Sequence, residues 1–280
     1  MRPDGAAFAR TVNREVVLLA GWGRALLLQV AHPLVAEGVA SHSGFLRDRR
    51  GRWARLRRTL DAMLTLTFGT DEEAARVAAG INAIHRRVNG RLPARAGPFP
   101  AGTAYSARDP RLLRWVHATF VDSILEAYAM FVRPLAPAER DRYCAEATRV
   151  EPLLDIPAGY LPRSAGELER YLTRTLESGE IAVTDTARAL AREVLHPVRL
   201  PVIGALLAPA RLPTVGLLPP AIREAYGLRW SAGQRTALRL MARAVRGILP
   251  VVPPALRYWP MSRRGGGDAR QLRRPDSAAR

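Results

Sequence analysis

Four residues between positions 53 and 90 have types and spacing suited to chemistry on a bound group. Arg55, Arg58 and Thr59 stand in WARLRRTLDAML, and His85 follows in INAIHRRVNG. Arg55 and Thr59 are four apart, so they share one face of a helix. An arginine in an apolar pocket needs an anion to meet, and a threonine hydroxyl can donate to a ligand such as dioxygen as it gathers negative charge. His85 is the metal-ligand type, since a neutral imidazole facing a cavity is the usual protein ligand of haem iron. The chain has five histidines, and three more of them, His32, His42 and His117, lie in similarly apolar sequence. That concentration points to an iron cofactor. A plainer reading stands beside it: a histidine on an apolar helix face can be a buried, hydrogen-bonded side chain. RDRRGRWARLRR can likewise be a solvated basic face.

The surroundings of each histidine set expectations. The stripe Val77, Ile81, Ile84 and Val88 predicts that the His85 ring points inward from mid-helix. In WVHATFVDS, which holds His117, helical spacing predicts one polar-aromatic patch of Trp115, Thr119 and Asp122. His32 precedes Pro33, which pushes it out of helical geometry near Gln29; it either lines a pocket or satisfies carbonyls freed at the break. His42 reads as structural, near the surface end of its segment.

Other site types fit worse. A di-iron carboxylate bundle needs two Glu-x-x-His pairs, and the sequence has one, Glu193 to His196, which runs into Pro197. His196 therefore reads as a helix C-terminal cation or cap. There is no phosphate loop, no G-x-G-x-x-G and no G-x-S-x-G elbow. Cys144, the one cysteine, excludes an intrachain disulfide and a multi-thiolate zinc site; it reads as a small buried hydrophobe.

The elements that must position these residues are almost all helical. Residues 12–40 predict a buried helix pair broken at Pro33. Residues 53–68 predict a helix closed by Gly69, and Thr70 caps the next, with acids in its first turn and arginines in its last. The stretch 91–107 reads as a Pro- and Gly-rich loop. Asp109-Pro110 opens a helix running to about Val132. Further helices are expected over 138–150, 164–178 (with Ser164 and Glu167 as a capping box), 184–195 and 231–248. Period-two alternation is nearly absent, which predicts an all-α fold with few or no strands. One helical domain is expected over 1–262, followed by a disordered basic tail over 263–280.

Composition narrows partners and place. The 43 basic residues are all arginine, against 25 acids, for a formal net charge of +18. They are scattered over many segments and form no stripe, which argues against a nucleic-acid reader and for arginine usage as a habit of the sequence. The first residues lack signal-peptide order, and no run of 18 uncharged apolar residues occurs. The chain is therefore expected in the cytoplasm, with peripheral membrane contact through the proline-broken apolar segment 197–220 as a further option.

Five segments in order carry a resemblance: QVAHPLVAEGVASHSGF, RLRRTLDAMLTLTFGT, INAIHRRVNG, GTAYSARDPRLLRWVHATFVDS and LLPPAIREAYGLRW. Together they resemble the MpaB-type oxygenase family, whose superfamily includes the rubber oxygenase called latex-clearing protein. The likeness covers roughly residues 12–235 and is closer to the short, generic members than to rubber oxygenases. It implies a single globin-like, all-helical domain, haem b, and addition of dioxygen across a carbon–carbon double bond with cleavage to carbonyl products. Carried over by residue, His85 matches the proximal iron ligand, and Arg55 and Thr59 match the pocket motif. Arg58 stands where rubber oxygenases have lysine, a planar fork in place of a point charge. His32 and His117 belong to the family's wider motifs as candidate cofactor neighbours. The expected function is haem-dependent oxygenation of an apolar, isoprenoid- or lipid-like substrate. The alternative is a non-catalytic haem or lipid carrier, or a membrane-surface helical protein.

Overall fold

The computed structural model describes residues 7–42, 49–196 and 211–263, with backbone alone for 49–56. The chain runs through α1 (Ala7–Asn13), a 3-10 turn (Val16–Leu18), α2 (Leu19–Val30), α3 (Pro33–His42), α4 (Arg49–Phe68) and α5 (Asp71–His85). Two short strands follow, β1 (Asn89–Arg91) and β2 (Ala104–Ser106). Then come α6 (Pro110–Phe131), α7 (Pro137–Ala147), a 3-10 turn (Thr148–Val150), α8 (Ala165–Glu177), α9 (Asp185–Leu195), α10 (Arg211–Gly216), α11 (Pro220–Ala225) and α12 (Ala232–Ile248). The short α13 (Pro254–Arg257) and α14 (Pro260–Arg263) end the described chain. The fold is all-α, as expected. The expected basic tail lies almost entirely outside the described residues, as does most of the proline-broken apolar segment.

Local sequence accounts for most helix starts. Thr70 and Glu73 form a reciprocal box: the Thr70 N–H donates to Glu73 Oε2 at 2.7 Å, and the Glu73 N–H donates to Thr70 Oγ1 at 3.1 Å. Asp109 Oδ1 accepts the Arg111 N–H at 2.9 Å, ahead of Pro110 at the first helical position. Ser164 caps α8, but the expected box is incomplete, because Glu167 Oε2 accepts from the Arg163 N–H instead. Within the expected 91–107 loop, Ala104–Ser106 returns antiparallel to Asn89–Arg91, with Gly90 opposite Tyr105. The strands are three residues each, too short for alternation to announce them.

The architecture centres on α6. Its buried residues include Leu112, Trp115, Ala118, Val121, Ile124, Leu125 and Phe131, each a source of about 1.5–3 kcal/mol when large and fully buried. Against it lies α2, which approaches closely because position 21 is glycine. A Cβ there would sit 2.6 Å from the Ser123 carbonyl oxygen and 2.9 Å from Ala127 Cβ. The end of α2 is tied to α6 twice, by Trp115 Nε1–H donating to the Gln29 carbonyl and by the Gln29 amide donating to the Val116 carbonyl, both at 3.3 Å. One core forms where α1, α7 and α12 close on α6; a second forms where α3, α9 and α11 close on α2. At Ala31–His32 the chain bends by 105° into α3, the break expected at Pro33. No single described helix is long and apolar enough to cross a membrane.

Candidate functional site

The helical pair α4–α5 carries the Arg-Thr motif and His85. Only Gly69 and Thr70 separate the two helices, which pack on each other, so they run antiparallel. Arg55 lies 14 residues before Gly69 and His85 lies 15 after Thr70. At a rise of about 1.5 Å per residue, that puts both backbones some 21–22 Å from the turn, level with one another. Thr59 is one turn nearer on Arg55's face. Arg58 and Thr59 are exposed, and the Arg55 side chain lies outside the described residues.

On α5, the sheltered positions are Ala74, Ala78, Ile81, Asn82 and His85, one face at helical spacing. Of the stripe read from sequence, Val77, Ile81 and Val88 are partly sheltered, while Ile84, 61% exposed, is turned out. The inward face is built from alanines and His85, with apolar Ile84 turned out. His85 is the last residue of α5, not mid-helix. Beside it, Asn82 Nδ2 donates to the Leu153 carbonyl at 3.0 Å and fixes α5 over the turn after α7. Desolvation by burial holds the His85 imidazole below its ordinary pKa, so it is neutral at neutral pH and keeps a lone pair to offer.

The other histidines go different ways. His117 Nε2–H donates to the Ala147 carbonyl at 3.2 Å, while Nδ1 is closed to water and has no hydrogen-bond partner. Burial pushes its pKa down to about 4. It faces the 147–153 turn from α6, as Asn82 does from α5. Trp115, Thr119 and Asp122 do share one side of α6, but His117 is not on it. Those three lie on the α2 side of the helix; two positions after Trp115, His117 is rotated about 200° away at 100° per residue. Thr119 Oγ1 bonds the Trp115 carbonyl at 2.8 Å, and Asp122 meets Arg24. His32 caps α3: its Nδ1 accepts the Leu34 N–H at 3.2 Å, and its ring stacks on Phe99 at 5.5 Å. It satisfies an amide, not freed carbonyls. Burial lowers its pKa to about 4 as well. His42 is exposed, edge-on to Tyr105 at 6.0 Å. His196 is the C-cap of α9, and burial lowers its pKa, so it serves as a neutral cap rather than a cation. Cys144 is buried, its thiol pushed up to about 12 by desolvation, as suits a hydrophobe.

A polar centre that the motif reading passed over lies between α2 and α6. Arg24, 5% exposed, pairs with Asp122 at 2.6 Å and donates to Ser123 Oγ and the Leu217 carbonyl, each at 2.7 Å. Ser123 passes its own hydrogen to the Thr119 carbonyl at 2.6 Å. All three guanidinium nitrogens are spent on neighbours, so the group holds α2, α6 and the chain after α10 together. An arginine inside LAGWGRALLLQV, an otherwise uncharged run, was the available signal.

Comparison with known proteins matches residues 9–247 to a family described as ER-bound oxygenase mpaB/B'/Rubber oxygenase, catalytic domain. Two similar proteins, one of Mycobacterium bovis and one of Mycobacterium tuberculosis, are each 26% identical over 226 residues, 79% of this chain and 84% of theirs. Both carry the description uncharacterized protein. No solved structure matches.

Proposed function

The chain belongs to the family of mpaB and rubber oxygenase catalytic domains, and on that premise we propose that it is a haem-dependent oxygenase of an apolar, isoprenoid- or lipid-like alkene. The oxygenase role is the family's; the haem, the alkene and oxidative cleavage of its double bond are our reading. The observation that carries it is His85, a neutral imidazole on the sheltered face of α5 and level with Arg55 on α4. A porphyrin brings four nitrogens of its own and asks the protein for one ligand. His85 can supply that one ligand; among the described residues no group of three or more His, Cys, Asp or Glu comes together.

Haem, when bound, supplies the activation of dioxygen that amino-acid side chains do not. His85 holds the group from the α5 side. Arg55 would contribute a permanent positive charge from α4, with Thr59, exposed, one turn away on the same face. Arg58 adds a second guanidinium at the rim. His32 spends its Nδ1 on Leu34, and His117 keeps an unpartnered Nδ1 that is closed off inside the packing of α6; we therefore take His85, level with Arg55, as the ligand. A substrate of this class resides in lipid, so peripheral membrane contact belongs to the same proposal.

The test is the visible spectrum of the purified protein supplied with haem. A Soret band is expected that is lost or shifted in His85→Ala, while helicity by circular dichroism is kept and His117→Gln leaves the band in place. No Soret band in the wild type, or one unchanged in His85→Ala, sinks the assignment.

A further inference from the structure

On the far side of α6 a cleft of about 270 Å³ opens between that helix, the loop before α8, and α8 itself. Arg114, Arg170 and Arg174 line it, with Tyr171 and a single acid, Glu167. Arg170 and Arg174 are four apart on α8 and repel each other there. Most arginines of this fold with an acid in reach are paired with it: Arg133 with Glu139 at 2.6 Å, Arg142 with Glu146 at 2.7 Å, Arg188 with Asp185 at 2.9 Å. Among the described residues, none of the three cleft arginines has a carboxylate within 4.0 Å.

Arg114 is the built part of the cleft. Its guanidinium lies over the rings of Tyr171 at 4.3 Å and Tyr160 at 5.0 Å, and its Nε is buried without a hydrogen-bond partner. Two aromatic faces fix the plane of the fork, so little side-chain freedom is left to lose when an anion docks. Glu167 does little to neutralise the site, because its Oε2 already accepts the Arg163 N–H at 2.7 Å. Three guanidiniums against one carboxylate leave a local charge of two positive units. A phosphate monoester carries about −1.5 to −2 at neutral pH and offers three oxygens to planar forks. The cleft falls just below the roughly 300–1,000 Å³ of pockets that enclose whole drug-sized ligands, so it suits a headgroup rather than an entire cofactor.

We infer that this cleft binds a phosphate monoester group through Arg114, Arg170 and Arg174, at a site separate from the α4–α5 hairpin. Binding of inorganic phosphate and of glycerol 3-phosphate is measured by calorimetry, with chloride holding the ionic strength constant. Saturable binding is expected, weakened at least tenfold in the Arg170→Gln/Arg174→Gln variant, whose exposed positions leave the fold intact. Flotation with vesicles containing phosphatidic acid separates sources: binding to vesicles and not to glycerol 3-phosphate assigns a lipid headgroup, and the reverse a soluble ester. Equal affinity in wild type and variant, or binding abolished by matched chloride, overturns the site. The measurement needs neither haem nor turnover, so its outcome is independent of the oxygenase reading.

Discussion

Mild acid destabilises this protein through His117, by an amount that follows from its surroundings. The imidazole is anchored by one hydrogen bond from Nε2 to the Ala147 carbonyl, and its Nδ1 faces neither water nor a donor. A proton added at Nδ1 would be a buried charge without a partner, and burial accordingly lowers the pKa from 6.5 to about 4. The unfolded chain takes up that proton below its ordinary pKa, while the folded chain resists until about 4. Between those values the unfolded state holds more protons, so stability falls as pH falls. The full shift is worth about 3 kcal/mol, and about 2 kcal/mol of it is lost by pH 5. His32, lowered to a similar value, adds its own share over the same window. The perturbation is His117→Gln, whose amide can still donate to Ala147 but cannot titrate. Urea unfolding followed by circular dichroism at pH 7.5, 6, 5 and 4.5 should show a wild-type loss that is shallower in the variant by about 2 kcal/mol at pH 5. Parallel pH profiles for the two proteins would refute the reasoning. So would a His117 ring titrating near 6.5 by NMR.

Three further perturbations probe the packing of the fold. Gly21→Ala drives a methyl against the Ser123 carbonyl at 2.6 Å and should cost about 1–3 kcal/mol in thermal unfolding; Gly80→Ala, with nothing within 4 Å, should stabilise exposed α5 by about 0.8–1 kcal/mol. Arg257→Met strands Glu15, 2% exposed, which the guanidinium holds through contacts of 2.7 and 2.9 Å; a loss of about 3–5 kcal/mol is expected, and replacing Glu15 by leucine as well should recover part of it.

What the sequence discloses here is what depends on near neighbours in the chain. Thr70, Asp109, Ser164, Thr184 and Ser231 each begin a helix because each accepts an amide two or three residues on, and that relation is written locally. The break at Pro33 is legible for the same reason. The β1–β2 hairpin is not, since its pairing joins residues 13 to 17 apart through strands of three. Burial is the other hidden quantity. Arg24 is charged and buried because Asp122 and Ser123 lie ready on α6, almost a hundred residues away. Ile84 is apolar and exposed because the alanines and His85 take the inward face of α5. In both cases polarity gives the wrong side, and only the partner helix decides.

The candidate site divides along the same line. That Arg55 and His85 stand level follows from counting residues either side of Gly69–Thr70, so this part of the geometry is contained in the sequence once two helices and a tight turn are granted. The separation of His117 from Trp115 follows equally from helical rotation. What counting cannot supply is how the nitrogens of each histidine are engaged. Position 32 loses Nδ1 to a helix start, and position 117 loses Nε2–H to a carbonyl brought in by α7. His117 keeps its Nδ1 unpartnered but closed to water, and His85 is neutral and only half-buried at the end of α5, so what each imidazole can offer is set by the elements packed around it and not by its place in the sequence.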